Sequence, residues 1–170
     1  MLSSHQARLS VNELVPLLAM VMALSAISID MMLPAVATIA KELGATKEND
    51  AQLVIGVMFA AFSIGQLFYG PLSDIIGRKP AFYLGISIFI IGCIISYQAA
   101  SFQVMLFGRL LQGLGASSAR IVSQAIIRDQ YVGEDMAKIM SMIISIFIIV
   151  PVLAPSFGQL MLKRYSYRAI

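Results

Sequence analysis

The sequence predicts an all-α, polytopic membrane protein, and three observations lead to that prediction. Hydrophobic residues make up 59% of the 170 residues and charged residues 12%, about half the charged fraction of an ordinary soluble domain. The charges collect in short segments that separate long apolar runs. These runs lack the alternation of a barrel strand, and lipid admits only helices or closed barrels, because every backbone amide must be satisfied there.

The first apolar run predicts a membrane-spanning helix over about 14–39. Asp30 is the only charged residue between Leu14 and Ala40. The run exceeds the ~7–15-residue apolar core of a secretory signal, and further runs follow it. We therefore expect it to stay in the protein as an anchor.

The next two runs predict spans over 51–73 and 80–99, joined by the charged turn Asp74–Lys79. A helix needs ~20 apolar residues to cross ~30 Å of hydrocarbon, so the turn should lie at a membrane surface. The third span also carries small residues at a four-residue spacing, which lets helices approach closely in lipid. They are Ala81, Gly85, Gly92 and Ser96.

The last two runs predict spans over 103–127 and 139–162, which gives five spans in all. Because the connections are short, consecutive helices should be antiparallel neighbours. Pro151 and Pro155 lie in the fifth span, and Gly158 follows them. Each proline removes a backbone donor, so we expect a kink there, either as passive shape or as part of a gate.

Orientation follows from the distribution of Lys and Arg around the spans. With the N-terminus in the cytoplasm, the inner segments carry five basic residues: Arg8, Arg78, Lys79, Arg128 and Lys138. The outer segments carry Lys41 and Lys47, and three more basic residues follow position 162. With that last group set aside, five inner charges against two outer ones predict a cytoplasmic N-terminus.

Three ionisable side chains lie inside the predicted spans, namely Asp30, Arg109 and Arg120. Each costs roughly 2.5–3.5 kcal/mol on insertion scales, so each calls for a reason. From the rise of an α-helix, Asp30 and Arg109 lie ~14 Å and ~9 Å from the outer ends of their helices, at similar depth. We expect the two to be held together in a functional site. A purely structural pair, or snorkelling of each side chain to the outer surface, is the alternative.

A polar stripe runs along the fourth span at helical spacings of three and four. Its members are Arg109, Gln112, Ala116, Arg120 and Ser123. A polar stripe on a membrane helix faces a water-filled cavity or the bundle interior, and the second span has a weaker face of this kind. Interhelical hydrogen bonding is one reading, and Arg120 can also reach the inner surface. The other reading is a shared central pathway, whose candidate lining residues are Ser63, Gln66, Gln112 and Arg120.

Composition also bears on the classes of partner and activity. The basic residues form no stripe of the kind that nucleic-acid binding requires. His5 is the only histidine, and neither a metal-ligand cluster nor a Ser/His/Asp set can be assembled. We therefore expect no nucleic acid, no enzymatic activity, no metal and no cofactor. Cys93 is the single cysteine, and it lies in an apolar run as a small hydrophobe.

Five short motifs occur in order along nearly the whole chain. They are SIDMMLPA at 28–35, GPLSDIIGRKP at 70–80, RLLQGLG at 109–115, RD at 128–129 and APSFG at 154–158. Together they resemble motifs of the major facilitator superfamily, in particular the twelve-helix drug/proton antiporters of its bicyclomycin-resistance (Bcr/CflA) branch.

The resemblance implies roles for the matching residues. Asp30 and Arg109 would serve proton coupling. A cytoplasmic loop motif would latch the two halves of the transporter together in one state; its residues are Gly70, Asp74, Gly77, Arg78 and Lys79. The helix-five motif would comprise Pro151, Pro155 and Gly158. Some positions depart from the family pattern: Ile75 replaces a basic residue, and Val150, Ala154 and Gln159 replace glycines.

Family members have about 400 residues in two six-helix halves, with the substrate site between the halves. The resemblance therefore implies that this chain is the N-terminal half lacking its sixth helix, which would open at Tyr167–Ile170. The C-terminal half would be a partner in the intact transporter.

The function that the resemblance implies is proton-coupled efflux, or antiport, of drugs or other small amphipathic molecules across the cytoplasmic membrane. By alternating access, Asp30 would bind a proton from outside, and protonation would compete with drug binding. The partners would be protons, the substrate and the lipid bilayer. One alternative is an importer or metabolite exporter on the same scaffold. Another is a membrane-embedded assembly or regulatory protein that transports nothing.

Overall fold

The computed structural model describes residues 11–45 and 49–164, and every regular element in these two ranges is helical. The absence of strands there confirms the predicted all-α bundle. Tyr167–Ile170, where a sixth helix was expected to open, lies outside the described residues, as do Arg8 and Lys47 of the charge count. The helices are α1 (Val11–Asp30), α2 (Val36–Glu42), α3 (Asp50–Ile76), α4 (Arg78–Tyr97), α5 (Phe102–Gln130) and α6 (Gly133–Arg164).

Four segments of the described chain are long and apolar enough to cross a membrane. They are Glu13–Glu42, Asp50–Ile76, Arg78–Tyr97 and Gly133–Met161. The predicted span over 103–127 corresponds to α5, whose glycines and polar side chains lower its hydropathy below that of the other helices. At 29 residues, α5 is about 44 Å long, which is more than a bilayer core requires. Its passage through the membrane stays a prediction.

The first predicted span is not one continuous helix, which corrects the expectation for 14–39. The α-helix ends at Asp30, a 3-10 turn follows at Leu33–Ala35, and α2 begins at Val36. Pro34 explains the break, because a proline ring clashes with the carbonyl four residues earlier, which is that of Asp30. The Ala35 amide instead donates to the Met32 carbonyl oxygen, at 2.8 Å.

The polar turn between α3 and α4 is shorter than the predicted segment Asp74–Lys79. Helix α3 continues through Ile76, and α4 begins at Arg78, so Gly77 alone connects them. Gly77 has φ +92° and ψ 158°, a backbone conformation that is essentially restricted to glycine. The two helices therefore reverse direction within one residue.

Helix α5 lies at the centre of the bundle, packed between α3 and α4. Its contacts are made by small residues, so the backbones approach closely. A Cβ on Gly113 would meet the Met58 carbonyl oxygen of α3, and one on Gly92 of α4 would lie 2.8 Å from the Gly108 carbonyl oxygen. The small residues predicted to form a packing face of α4 are indeed buried: Ala81, Gly85, Gly92 and Ser96.

Two apolar clusters close the ends of the bundle. The cluster at the end that holds Gly77, the Gly77 end, joins the first half of α1 with Ile127, Ile139 and Ile143. The cluster at the opposite end, the Ala99 end, joins α2 and its preceding turn with Val54, Ala99 and Met105. Along the chain, the first cluster extends on α1 to Met22, and the second begins at Met32, after α1 has ended. Asp30 therefore lies between the two clusters.

The outside of the bundle is apolar. Large hydrophobic side chains of α3, α4 and α6 are exposed, as suits helices surrounded by lipid. Those of α6 include Ile144, Ile148, Ile149, Val152 and Leu153.

Candidate functional site

A charge network occupies the Gly77 end of the bundle, centred on Arg78. Its Nε lies 2.8 Å from Asp129 Oδ2, and its Nη2 lies 3.2 Å from Asp129 Oδ1. Its Nη1 donates to Ser73 Oγ at 2.6 Å and to Asp74 Oδ1 at 2.5 Å. One guanidinium thus connects the end of α3, the start of α4 and the end of α5.

The local sequence explains why Arg78 can make these contacts. The single-residue turn at Gly77 places Arg78 four residues after Asp74, so both project from the same end of the bundle. Ser73 Oγ donates to the Gly70 carbonyl oxygen at 2.9 Å, which fixes the hydroxyl as an acceptor for Arg78. The hydrogen bond from Arg78 lowers the pKa of the Asp129 carboxyl below its ordinary value, since it favours the charged form.

The network differs from the predicted loop motif in two respects. Lys79 is exposed and makes no ion pair with a described residue, so it does not join the network. Asp129 and Ser73 do join, although the sequence analysis did not place either among the site residues. The signal for Asp129 was present in the RD motif at 128–129, but only the packing of α5 on α4 brings it to Arg78.

A second polar cluster lies in the first third of α5 and is centred on Arg109. Arg109 is 5% exposed, and its Nη1 donates to Gln112 Oε1 at 2.8 Å. Its Nε is buried without a hydrogen-bond partner, and so is Ser123 Oγ on the same stripe. Gln112 is 4% exposed, with its backbone packed against Gly92 of α4. A buried guanidinium with one neutral acceptor is a costly arrangement, which suits a functional group better than a structural one.

Asp30 lies at the break that follows α1. Its side chain is half-buried. The adjoining turn packs against α6 at Gly158, where a Cβ would meet the Met31 carbonyl oxygen and would lie 3.2 Å from Pro34 Cγ. The structure thus brings the first motif and the helix-five motif together, and Gly158 allows the close approach. Pro151 and Pro155 lie inside α6 without ending it, and the kink expected there stays a prediction.

The expected contact between Asp30 and Arg109 is wrong. No nitrogen of Arg109 lies within 4.0 Å of an Asp30 carboxylate oxygen, and both residues are described. The prediction rested on depth along two helices, and depth does not fix the direction in which each side chain points. Asp30 instead stands without a charged partner among the described residues.

Arg120 lies on the same face of α5 as Arg109, nearer to the Gly77 end. Its Cζ lies 5.9 Å from the centroid of the Phe147 ring of α6, a cation–π contact. Arg120 is half-buried and forms no ion pair in the described part of the chain. Phe147 itself packs against the apolar cluster of the Gly77 end.

Ser63 and Gln66 do not share a space with Gln112. Ser63 is exposed and donates to the Phe59 carbonyl oxygen of its own helix at 2.9 Å, and Gln66 is half-buried. Gly65 is the residue that faces α5, against Ser117, and Ser63 lies about 200° around the helix from it. Ser63 therefore points away from α5, whereas Gln112 is enclosed by the bundle.

A cleft of ≈ 660 Å³ opens between α1 and α6 at the Gly77 end. The lining residues are Val15, Pro16, Tyr131, Asp135, Lys138, Ile139 and Met142. The described residues hold no group of His, Cys, Asp and Glu that could bind a metal ion.

Comparison with known proteins gives a family and several relatives. The sequence profile of the Major Facilitator Superfamily matches residues 18–170. Multidrug resistance protein MdtL of Klebsiella pneumoniae (strain 342) is 36% identical over 142 residues, which cover 84% of this chain and 36% of that protein. MdtL of Salmonella paratyphi C is 34% identical with the same coverage of both chains. Multidrug resistance protein D of Escherichia coli (strain K12) is 28% identical over 157 residues, 92% of this chain and 40% of that protein.

The chain therefore spans 36% to 40% of the length of these curated relatives. Asp30, Arg78, Arg109, Arg120 and Asp129 all fall within the matched region, which begins at residue 18.

Proposed function

The chain belongs to the major facilitator superfamily, and we propose that its helices serve proton-coupled efflux of drugs or other small amphipathic molecules. It is a multi-pass membrane protein, and its family is one of transport proteins and not of enzymes. Since the chain spans 36% of MdtL, the activity proposed is that of a complete transporter that contains these helices. Names of relatives that refer to multidrug resistance support efflux as the direction.

The observation that carries proton coupling is the placement of Asp30. Its carboxyl is half-buried between two apolar clusters, at a break in the chain, with no cation within 4.0 Å among the described residues. A carboxylate that is not locked in an ion pair can bind and release a proton as its surroundings change. The contact of the adjoining turn with Gly158 of α6 would couple that event to helix movement.

In the proposed alternating-access cycle, Asp30, Arg109 and the network around Arg78 each have a role. Protonation of Asp30 and binding of the substrate would be mutually exclusive, so that inward movement of a proton accompanies outward movement of the substrate. Arg109 would supply a positive charge inside the bundle while the bundle passes from one state to the other. The network around Arg78 would latch the two halves of the transporter together at the membrane surface in one of the two states.

We further propose the bicyclomycin-resistance branch, on the basis of the motif at 28–35 and the helix-five motif. The five spans would lie in the cytoplasmic membrane with the N-terminus inside, and a C-terminal half would complete the substrate site. At this level we name only small amphipathic molecules as substrates.

The test is transport by the complete transporter in inside-out membrane vesicles with an acidic lumen. Rhodamine 6G and pyrenebutyrate serve as probes of opposite charge. We expect one or both to accumulate in wild-type vesicles and to release protons from the lumen. Asp30→Asn should abolish gradient-driven accumulation, and Asp30→Glu should retain part of it. Lys41→Gln is the control, since Lys41 is an exposed charge on α2 outside the loop motif.

Proton-driven export that survives Asp30→Asn would overturn the assignment of Asp30. Probe movement in the same direction as the proton would indicate an importer. If neither probe responds to the gradient in the complete transporter, proton-driven efflux is excluded for both, and a role in assembly or regulation becomes the better reading.

A further inference from the structure

Two guanidinium groups share one face of α5. Arg109 and Arg120 are eleven residues apart, about three helical turns, so they lie on nearly the same side and about 16 Å apart along the axis. Gln112, Ala116 and Ser123 lie on this face too, and all three are buried. Arg120 on this face lies over Phe147 of α6, whereas Gln112 packs against Gly92 of α4.

Neither guanidinium has an acidic partner in the described part of the chain. Arg109 donates to the neutral Gln112, and its Nε has no partner. Arg120 lies over the Phe147 ring and forms no ion pair. Ser123 Oγ is a further buried polar atom without a partner on this face.

Asp30 is the only acidic residue within the predicted spans, and it pairs with neither arginine. The interior of these helices therefore carries two positive charges against one negative charge. Buried charges of one sign favour a ligand of the opposite sign and repel a ligand of the same sign, all the more in a low dielectric.

We infer that the substrate class is anionic amphipaths, with the anionic group bound by Arg120 and the apolar body against Phe147 and the neighbouring apolar cluster. This inference rests on the proposed function. The Arg120 Cζ lies 5.9 Å from the Phe147 ring centroid, and the guanidinium forms no ion pair with a described residue. A planar guanidinium presents paired N–H donors that match a carboxylate or a sulfonate. Arg109 adds to the attraction from deeper in the bundle, and Gln112 keeps it oriented.

The test compares two probes that differ only in the charged end, pyrenebutyrate and pyrenebutyltrimethylammonium. Binding to the purified complete transporter is measured by pyrene fluorescence, and transport is measured in vesicles. We expect wild-type protein to bind the anion at least tenfold more tightly than the cation. Arg120→Gln should weaken anion binding about tenfold, as expected for loss of a charge-assisted hydrogen bond, and leave cation binding within twofold.

Two further variants separate a binding role from a structural one. Arg120→Lys keeps the charge but loses the planar fork, so its anion affinity should fall between those of the wild type and Arg120→Gln. Phe147→Leu removes the ring and keeps the charge, and it should weaken the anion less than Arg120→Gln does. Lys41→Gln, an exposed charge on α2, is the control and should change neither affinity.

The inference is overturned if wild-type protein prefers the cation, or if Arg120→Gln weakens both probes equally. Export of the cationic probe alone, driven by the proton gradient, would leave the proposed efflux function standing and remove only the anionic substrate class. Failure of both probes to move would exclude efflux, and the binding measurement would still decide whether Arg120 selects anions.

Discussion

The Arg78 guanidinium and the Asp129 carboxylate form a two-point contact between the first residue of α4 and the end of α5. Nε lies 2.8 Å from Oδ2 and Nη2 lies 3.2 Å from Oδ1, although 51 residues separate the two in sequence. The side chains are 25% and 51% exposed, so solvent screens the pair. The Arg78–Asp129 pair therefore orients the ends of the helices more than it stabilises the fold.

The coupling between Arg78 and Asp129 should depend on pH at the acidic end only. A double-mutant cycle with Arg78→Gln and Asp129→Asn should give about 0.2–1 kcal/mol at neutral pH, the range for exposed pairs. The pKa of Asp129 is lowered in the folded protein by the Arg78 hydrogen bond, so the stabilisation is complete above the unfolded pKa of about 3.9. It should be lost as pH falls through the lowered folded value.

Unfolding in mixed micelles, followed by circular dichroism between pH 3 and 8, measures this coupling. The same cycle with Lys79→Gln in place of Arg78→Gln should give no coupling. A coupling energy that already declines between pH 7 and 5 would contradict the lowered pKa.

Replacement of Gly77 should destabilise the fold through the backbone and not through crowding. A Cβ there would lie 3.7 Å from Pro80 Cδ, an ordinary distance, but φ is +92°. We expect Gly77→Ala to lower the free energy of unfolding by about 1–3 kcal/mol. Gly77→Asn should be no better, because asparagine tolerates only the left-handed helical region and ψ is 158°. Gly70→Ala is the control, since nothing lies within 4 Å of its Cβ position; an equal loss there would contradict this account.

Replacement of Gly158 should separate α6 from the turn after α1. The added methyl of Gly158→Ala would meet the Met31 carbonyl oxygen, which is backbone and cannot turn away. We expect a loss of about 1–3 kcal/mol in the free energy of unfolding, typical of overpacking. Gly56→Ala, on an open face of α3, should instead be neutral or stabilising by about 0.5–1 kcal/mol. Chemical denaturation of the detergent-solubilised protein compares the two, and equal effects would argue against the contact.

The pair Arg109 and Gln112 should show strong non-additivity. Gln112→Leu alone removes the acceptor of a buried guanidinium, and we expect a loss of about 1–3 kcal/mol or more. Arg109→Met combined with Gln112→Leu removes the charge as well and should recover most of that loss, since replacing both partners by apolar groups can be nearly neutral. Both variants should fail to transport. If the double variant is less stable than Gln112→Leu, Arg109 has a stabilising partner other than Gln112.

The positions of the helices could be predicted from charge and hydropathy, but their ends could not. Charged residues mark the edge of the hydrocarbon, whereas an α-helix continues through them until a residue leaves the helical backbone conformation. For this reason the predicted span 51–73 corresponds to a helix that runs to Ile76, and only Gly77 stops it. The break after Asp30 had a sequence signal in Pro34, but the hydropathy of the segment does not change there.

The contacts of the site were harder to predict. Helical spacing correctly placed Arg109 and Gln112 on one face of α5, and they bond to each other. The same reasoning failed for Asp30 and Arg109, because it used height along two helices without the rotation of either. The contact between Arg78 and Asp129 depends on how α4 packs against α5. Residue spacing within a single segment carries no information about that packing.

The glycine and serine residues through which α5 contacts α3 and α4 make these three helices one rigid unit. Where backbones touch through Gly65, Gly85, Gly92 and Gly113, there is no side-chain layer that can slide or repack. In the proposed transport cycle, bending would therefore fall to α1 and α6, which contact each other and carry prolines at 16, 151 and 155. The rigidity of α3, α4 and α5 thus determines that α1 and α6 are the helices that would bend.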